Sequence, residues 1–267
     1  MRSWPSSLSR LTTTLTLALA LSTIASAHAA NSPPRPQPKP AQPTVANLVT
    51  HPAATLQGSP SSIRLVDGSL APSSVRLSIT WNKDRGSAQV ANLGTAPVAI
   101  REIVLFDLEH RLPPDTTVYA ESFQMLAQIS GTLQKPTDIG EYPDRSHYRL
   151  DEPAGFRTAY GVLTLAPEIG PRVLLGFTSC KRFSGRFHFN GSRLQVSIDT
   201  EGLTLQPKES WALEEFIAIA GNEREPLFDS LAKAIRKNHK PIFKDPPPTG
   251  WCSWYHFGPK VTAADVA

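Results

Sequence analysis

The sequence predicts a mainly β protein: a large β-sandwich, then one linking helix, then the beginning of a β-then-α unit. Three observations lead to this fold class. Short runs with alternating apolar residues follow one another from about 63 to 219, and most of them end at Gly, Pro, Asn or Asp. A single amphipathic helix and a Pro-rich connector come next, and an aromatic run closes the chain. Many short strands separated by turn signals are typical of a sandwich.

The composition is that of a folded protein, and the net positive charge lies in the first 39 residues. Of the 267 residues, 40% are hydrophobic and 19% are charged, as in ordinary globular domains. Arg2, Arg10, Arg35 and Lys39 account for the whole net charge of +4, so the rest of the chain is neutral. Binding through many phosphate contacts needs a clustered excess of cations. We therefore expect neither nucleic acid nor a membrane surface as a partner.

Residues 1–29 have the layout of a secretory signal peptide. A short cationic start precedes an apolar run at about 15–24, and small residues lead up to an A-x-A pattern at 27–29. The apolar run is too short and too rich in Thr for a good membrane span. We expect cleavage after Ala29 and export of the mature protein to the periplasm or the cell exterior. Residues 30–44 alternate Pro with polar residues, which predicts an extended linker.

The predicted sandwich domain covers 45–222. Its strand-like runs lie at 75–81, 98–108, 160–166, 172–178, 203–205 and 211–219. Between 109 and 158 repeated Pro and Gly residues predict long irregular connections. Such connections in β proteins are often functional or interface loops.

The clearest local prediction is a β-hairpin over 186–198. Asn190-Gly191 between alternating apolar residues predicts a two-residue type I′ turn, in which 189 pairs with 192 and 187 with 194. The face expected in the core holds Phe183, Phe187, Phe189, Leu194, Val196 and Ile198. The opposite face, expected to be solvated, holds Arg186, His188, Arg193, Gln195 and Ser197.

Segment 223–248 is predicted to link the sandwich to the C-terminal aromatic run. Its helix extends from about Glu225 to Asn238, and Pro226 suits the first turn. The apolar stripe of this helix consists of Leu227, Phe228, Leu231 and Ile235. Pro246-Pro247-Pro248 then predicts a stiff connector.

Only two cysteines occur, Cys180 and Cys252, so the chain is not a disulfide scaffold. One bridge between them and two free thiols both remain open. We favour two buried thiols, because a free cysteine behaves as a small hydrophobic residue and is usually buried.

The sequence contains no recognisable catalytic or metal-binding spacing. A nucleophile elbow, a P-loop, H-E-x-x-H and C-x-x-C are all absent, and the seven His residues show no ligand spacing. Glu214 and Glu215 would face opposite ways along a strand, so they cannot converge on one sugar ring. We expect these two, and Glu223 and Glu225 at the helix start, to be solvated or capping acids.

Residues 249–266 have the most distinctive sequence. An aromatic, strand-like run ends at Gly258-Pro259, and Thr262-x-x-Asp265 predicts a capping box that opens a helix. Trp and Tyr rings have flat apolar faces and polar edges, which suit stacking on a pyranose ring. Aromatic residues of a strand can equally be packed in a core.

These residues resemble glycoside hydrolase family 36, the α-galactosidase and raffinose-synthase-like enzymes. GWCSWYHFGPKVTAADV is similar to the first barrel strand and following helix of that family. Glu121–Met125 and Arg172–Phe177 are similar to its N-terminal β domain. The resemblance implies a β-supersandwich that leads into a (β/α)₈ barrel. It also implies retaining hydrolysis of terminal α-galactosides by two Asp residues on later strands, with no metal and no organic cofactor.

The resemblance assigns one substrate-binding residue in this chain. By position, Trp254 would line the sugar subsite, whereas Trp251 would pack, and Tyr255 and His256 match the pattern without a clear role. A barrel takes about 250 residues, so 249–267 would be the first βα unit of a truncated barrel. The two catalytic Asp residues have no counterpart. We expect the N-terminal part of a longer enzyme, inactive as given.

Two alternatives stay open beside the hydrolase. A stand-alone carbohydrate-binding sandwich would use the loops of 109–158 as its sugar site. Within the family, the full-length protein could transfer galactose instead of hydrolysing the bond. In each case the expected partner is an α-galactoside or a related carbohydrate, and a homo-oligomer of the full-length enzyme is also left open.

Overall fold

The computed structural model describes residues 45–124, 127–140, 147–148, 150, 152–240, 246, 249–250 and 252–266. The predicted signal peptide, the Pro-rich linker, Trp251 and most of the Pro-rich connector lie outside these residues. The described residues belong to one compact unit. No helix within it is long and apolar enough to cross a membrane.

Strands make up most of the regular structure of the described residues. They are β1 (Ser62–Leu65), β2 (Val75–Asn82), β3 (Arg85–Asn92), β4 (Val98–Glu109), β5 (Thr117–Glu121), β6 (Gln128–Gly131), β7 (Pro136–Ile139), β8 (Arg157–Tyr160), β9 (Val162–Ala166), β10 (Arg172–Phe177), β11 (Ser184–Phe189), β12 (Arg193–Asp199), β13 (Thr204–Leu205), β14 (Ser210–Ala212) and β15 (Phe216–Gly221). The helices are α1 (Val45–Thr50), α2 (Pro52–Gln57), α3 (Arg224–Asn238), α4 (Trp254–Phe257) and α5 (Ala263–Val266), with a 3₁₀ turn at Gly258–Lys260.

The strands form two antiparallel sheets, as the sequence predicted for a sandwich. The first sheet has the order β1-β4-β12-β11-β8, with β13 also paired to β4. The second has the order β14-β3-β15-β10-β9-β5-β6-β7, with β2 also paired to β3. The mainly β fold class is therefore confirmed.

Aromatic rings from both sheets meet in the core. Phe106 on β4 and Phe216 on β15 are almost fully buried, and their ring centroids are 5.2 Å apart. Trp81 on β2 contacts the Phe216 ring edge-on at 5.1 Å. Edge-to-face pairs at this separation add to the burial of the rings themselves. The core thus depends on contacts between residues far apart in sequence.

The predicted irregular region 109–158 contains more strand than expected. It holds β5, β6, β7 and the start of β8, and β6 and β7 extend one edge of the second sheet. These strands are short, and Pro136 occupies the first position of the edge strand β7, where a missing N–H costs no ladder bond. Pro and Gly residues are therefore compatible with short edge strands as well as with loops. The periodicity of the sequence does not distinguish the two in this region.

The hairpin is present, but the predicted turn type and register are wrong. Phe189 pairs with Leu194 and Phe187 with Val196, so Gly191-Ser192 is the two-residue loop. The side-chain oxygen of Asn190 accepts hydrogen bonds from the backbone N–H groups of Ser192 and Arg193, both at 2.9 Å. Neither Asn190 nor Gly191 has the left-handed φ that a type I′ turn requires. Hydrogen bonds to the side chain of Asn190 therefore hold this turn, and the left-handed backbone of a type I′ turn is not needed.

The register changes by two residues, so the side chains keep their predicted faces. The expectation that the second face is solvated is nevertheless wrong for three residues. His188, Gln195 and Ser197 are 1%, 4% and 0% exposed. A buried polar row therefore crosses the first sheet on the face opposite the core.

Helix α3 packs on the second sheet and confirms the helix predicted over 225–238. Leu227 and Leu231 are buried against Val162, Leu174 and Ile217. Ala234 is buried as well, whereas Ile235, predicted on the apolar stripe, is 39% exposed. The C-terminal end is held by Asn238, whose amide donates to the carbonyl oxygen of Thr178 at 3.1 Å.

Candidate functional site

Trp254, the predicted sugar-contacting residue, is the first residue of α4. Its side chain is 62% exposed, and the neighbouring Tyr255 is 93% exposed. His256 and Phe257 contact each other edge-on with ring centroids 4.5 Å apart. Trp254 and Tyr255 therefore present aromatic surface to solvent within the described residues.

The expected strand at this segment is not observed. Trp254–Phe257 is a helical turn capped by Gly258, whose N–H donates to the carbonyl oxygen of Trp254. A strand needs a partner for its backbone groups, and among the described residues no strand pairs with this segment. The helical turn satisfies its backbone locally instead.

The capping box predicted after the Gly-Pro turn is observed. The carboxylate of Asp265 accepts hydrogen bonds from the backbone N–H of Thr262 at 2.8 Å and from its hydroxyl at 2.7 Å. These bonds lower the pKa of Asp265 below its ordinary value. The short helix α5 therefore begins where the sequence predicted.

The loops of 109–158 bring together a half-exposed aromatic cluster. Phe123 and Tyr148 are each 43% exposed, and their ring centroids are 5.1 Å apart. Tyr160 at the end of β8 lies 5.5 Å from Phe123. The guanidinium of Arg186 lies 5.7 Å from the Tyr160 ring centre. This is the region that the sequence suggested for a stand-alone sugar site, which stays a prediction.

The second sheet carries a groove of about 560 Å³ next to the beginning of α3. It crosses one end of the neighbouring strands β5, β9, β10 and β15, and it is lined by Thr117, Tyr119, Thr164, Ala166, Pro167, Glu168, Gly170, Arg172, Asn222, Arg224 and Leu227. The volume is within the usual range of small-molecule sites, about 300–1,000 Å³. Most of its lining side chains are polar, unlike the apolar pockets that hold drug-like ligands.

Tyr119 is the aromatic residue of this groove, and its ring is held in place. The hydroxyl donates to Oε1 of Glu121 at 2.9 Å, and the ring contacts Phe228 of α3 edge-on at 6.1 Å. Burial and the hydrogen bond to Glu121 raise the pKa of Tyr119, so the hydroxyl stays a donor. The groove therefore has a rigid aromatic surface among polar groups.

A buried hydrogen-bonded chain joins three strands of the first sheet. The hydroxyl of Thr158 lies 2.8 Å from Nδ1 of His188, and Nε2 of His188 lies 3.2 Å from Oε1 of Glu102. Arg64 donates to the other oxygen of Glu102 at 2.9 Å. Burial raises the pKa of Glu102. Hydrogen bonds from His188 and Ser197 and the nearby positive charge lower the pKa by more, so the net shift is downward.

The hydrogen-bonded side chains of Thr158, His188 and Glu102 have the order hydroxyl, imidazole, carboxylate, which also occurs in nucleophilic sites. Thr158 and His188 are only 2% and 1% exposed, however, so the described structure leaves no room for a substrate beside the hydroxyl. We assign this hydrogen-bonded network a structural role. Each of its polar side chains has a hydrogen-bond partner, which is what burial requires.

Glu214 is a structural clamp and not the solvated acid that the sequence suggested. It is 2% exposed, and its carboxylate accepts hydrogen bonds from the backbone N–H groups of Lys181, Arg182 and Phe183 at 2.9–3.0 Å and from the hydroxyl of Ser179.

Glu215 points elsewhere, accepting from Thr178 at 2.7 Å and from Asn238 at 2.8 Å. The two carboxylates therefore do not converge, as the sequence indicated.

The cysteines are free, and both are exposed, so the expectation of buried thiols is wrong. Cys180 lies on the loop held by Glu214, and its backbone N–H donates to Nε2 of His239 at 3.1 Å. Among the described residues no group of three or more His, Cys, Asp or Glu side chains is arranged to hold a metal ion.

Sequence reasoning did not identify the groove. Thr117, Thr164 and Asn222 come from three separate segments, and each is unremarkable in its own segment. Tyr119 is the signal that the sequence carries, as an aromatic residue within the segment 109–158 that is predicted to be irregular. Pairing of Tyr119 with Thr164 across β5 and β9 creates the site.

No family model and no curated protein matches the chain. Among solved structures, the galactosidase domain of the α-galactosidase-sucrose kinase AgaSK is 13% identical, with a TM-score of 0.41 over 62% of this chain and 25% of that one. The GH36 α-galactosidase AgaB from Geobacillus stearothermophilus is 9% identical, with a TM-score of 0.36 over 61% and 30%.

A variant of the GH36 α-galactosidase AgaA from Geobacillus stearothermophilus, in complex with 1-deoxygalactonojirimycin, is 9% identical, with a TM-score of 0.38 over 67% of this chain and 32% of that one. The chain thus spans between a quarter and a third of the length of these proteins. All three TM-scores are below 0.5.

Proposed function

We propose that this chain is the N-terminal part of an exported glycoside hydrolase that resembles the α-galactosidases of family 36. The observation that carries the proposal is the stretch GWCSWYHFGPKVTAADV after a two-sheet sandwich and a linking helix. This order of parts is the one that the resemblance implies. The substrate class would be terminal α-galactosides, and the full-length protein would hydrolyse them with retention.

In this proposal Trp254 contacts the sugar. Its ring is exposed in the described chain, which leaves a flat apolar face for stacking on a pyranose and an indole N–H for a hydroxyl. Retaining hydrolysis requires two carboxyl groups about 5–5.5 Å apart. The resemblance puts both on later barrel strands, so the proposal assigns no catalytic residue to this chain, and the chain alone would be inactive.

The proposal includes export. The cationic start, apolar run and A-x-A pattern of residues 1–29 support it. Amino-terminal sequencing of the secreted protein should give a mature chain that starts at Ala30. A mature chain that retains residues 1–29 would contradict this part of the proposal.

The first experiment is to read the gene beyond codon 267 in all three frames. The proposal requires about 250 further residues with barrel-type β-then-α periodicity. If no frame encodes them, this chain cannot belong to an active hydrolase of this type.

The second experiment measures release of galactose from raffinose by the full-length product. Trp254→Ala should lower kcat/KM by about tenfold or more, because burying a large apolar side chain contributes about 1.5–3 kcal/mol and 1.4 kcal/mol is a factor of ten. Trp254→Phe keeps a ring and should retain most of the activity. Tyr255→Ala, which alters the exposed neighbour without an assigned role, is the matched control. Equal losses for Trp254→Ala and Tyr255→Ala would contradict the assigned contact.

Product analysis separates hydrolysis from galactosyl transfer. A hydrolase releases free galactose from raffinose at low acceptor concentration. If the main product is instead a longer galactoside, the enzyme is a transferase of the raffinose-synthase type.

A further inference from the structure

We propose that the groove beside the start of α3 is a binding site for a neutral oligosaccharide. This site lies on the sandwich itself and involves no residue of the C-terminal aromatic stretch. The inference therefore goes beyond the proposed hydrolase and does not depend on it.

The first argument is the construction of the groove. Adjacent ladder pairs build its walls: Thr117 pairs with Ala166, Tyr119 with Thr164, and Arg172 with Gly221. The side chain of Leu227, 6% exposed and packed in the cluster beneath α3, closes one side. A site built on paired strands and a packed helix is preformed, and preformed sites lose little free energy to ordering on binding.

The second argument is the fixed aromatic ring. The hydroxyl of Tyr119 donates to Glu121, and the rings of Tyr119 and Phe228 form an edge-to-face pair with centroids 6.1 Å apart. The carbonyl oxygen of Tyr119 also accepts the hydroxyl of Thr164 at 3.1 Å, which fixes the backbone. A ring with so little freedom offers its remaining surface to a sugar without a further entropic cost.

The third argument is the charge of the groove. Arg172 and Arg224 are cationic, but Glu168 lines the same groove, and Nε of Arg224 lies 3.7 Å from the carboxylate of Glu225. Glu121 adds a further negative charge beside Tyr119. Because two cations face three carboxylates, the groove has no excess of positive charge that would select an anion. Arg, Asn and Glu side chains instead provide planar donors and acceptors for hydroxyl groups.

These three properties together favour a sugar over other ligands. A peptide or an aromatic metabolite would need a mainly apolar lining, and a phosphate or uronate would need uncompensated cations. A neutral sugar needs one apolar ring face and several planar polar groups, which is what Tyr119, Asn222, Arg172 and Glu168 provide.

The test is isothermal titration calorimetry of the full chain with stachyose, with maltotetraose and galacturonate as comparison ligands. We expect saturable binding of at least one neutral oligosaccharide and none of galacturonate. Tyr119→Ala should weaken binding about tenfold, which corresponds to about 1.4 kcal/mol. Tyr119→Phe keeps the ring and should change the Kd less than about threefold, because the hydroxyl is already committed to Glu121.

A second pair of variants keeps the test decisive if Tyr119→Ala does not fold. Thr117→Arg places a long side chain on an exposed groove position and should abolish binding without disturbing the fold. Tyr148→Ala, in the aromatic cluster of the 109–158 loops, is the matched control and should bind like the original chain.

Binding that Tyr148→Ala removes and Thr117→Arg leaves intact would overturn the inference in favour of the loop site. Binding of galacturonate alone, or of no sugar, would overturn it as well. Because this assay measures binding by the sandwich, its failure leaves the hydrolase proposal standing, and a missing barrel reading frame leaves this inference standing.

Discussion

Nε2 of His110 lies 3.1 Å from the carbonyl oxygen of Asn190, so the residue after β4 is tied to the turn between β11 and β12. On the other side of the ring, Nδ1 accepts the backbone N–H of Leu112 at 3.4 Å. This pair of contacts requires a neutral imidazole with its proton on Nε2. Protonation of Nδ1 would put two N–H groups against each other.

The stability of the protein should therefore depend on pH through His110. Burial lowers the pKa of His110 below 6.5, and the bond to Asn190 offsets this only in part. The unfolded chain then binds the proton more readily than the folded chain. His110 contributes fully to the free energy of unfolding above pH about 6.5, and the contribution is lost as the pH falls through the lowered pKa.

Urea unfolding at several pH values between 5 and 8 measures this contribution. His110→Gln should show a smaller fall in the free energy of unfolding over this range, because the amide can donate to Asn190 and does not titrate. If both proteins lose the same amount, the imidazole is not the titrating group.

The Glu214 clamp should be worth a measurable part of the stability. Glu214→Gln replaces one acceptor oxygen by an NH₂ group. At Oε1 that group would face the backbone N–H groups of Lys181, Arg182 and Phe183, and at Oε2 it would face the N–H of Lys181 and the hydroxyl of Ser179. Leaving buried groups without a partner costs about 1–3 kcal/mol. Chemical unfolding should show a loss of this size, whereas Glu225→Gln, at a side chain 76% exposed, should change stability by less than about 0.5 kcal/mol.

The clamp also predicts acid sensitivity. Burial raises the pKa of Glu214, but hydrogen bonds from Ser179 and three backbone N–H groups lower it more, so the pKa is below 4.5 overall. A lowered folded pKa means that the contribution is present above pH about 4.5 and is lost as the pH falls through the folded pKa. The difference in stability between the original chain and Glu214→Gln should shrink in that range. A constant difference down to pH 2 would contradict this.

The link between Thr158 and His188 predicts a third stability effect. Thr158→Val keeps the shape of the side chain but leaves Nδ1 of His188 without its 2.8 Å partner in a fully buried position. The expected loss is about 1–2 kcal/mol. The matched control is Thr80→Val on an exposed position of β2, where a β-branched apolar residue is tolerated. If the thermal unfolding temperature shifts equally for both variants, the structural role of the bond between Thr158 and His188 is contradicted.

Sequence reasoning was most successful where one segment determines its own structure. The periodicity of 98–108 predicted β4, and the stripe at Leu227 and Leu231 predicted α3, because amphipathic patterns report which face is buried. It failed where the partner is distant. Glu214 looked like a surface acid, since the backbone groups that bury it lie more than thirty residues earlier. The groove was hidden for the same reason.

The C-terminal stretch shows a different limit. Its capping box was predicted correctly because Thr262 and Asp265 are three residues apart and act locally. Its strand was not, because a strand is defined by the neighbour that it pairs with. The role proposed for Trp254 therefore rests on the sequence alone, and the local helical turn does not test it.

The observed hairpin turn makes a prediction that separates it from the turn expected from Asn190-Gly191. A type I′ turn would hold Gly191 at a positive φ, where Ala is strained. In the structure Gly191 is not left-handed, and a Cβ added there would meet no atom within 4 Å. Gly191→Ala should therefore change the free energy of unfolding by less than about 0.5 kcal/mol.

Gly185, on the same hairpin, should respond in the opposite way. A Cβ at this position would lie 2.2 Å from the ring of Phe177, which itself packs against Phe187 with centroids 5.3 Å apart. The ring cannot move aside freely, because it also contacts Phe216 with centroids 6.3 Å apart. Overpacking of this kind costs about 1–3 kcal/mol. Urea unfolding of the two Ala variants side by side tests both statements. If Gly191→Ala is the more damaging of the two, the hairpin has the type I′ register, and the pairing of Phe187 with Val196 is wrong.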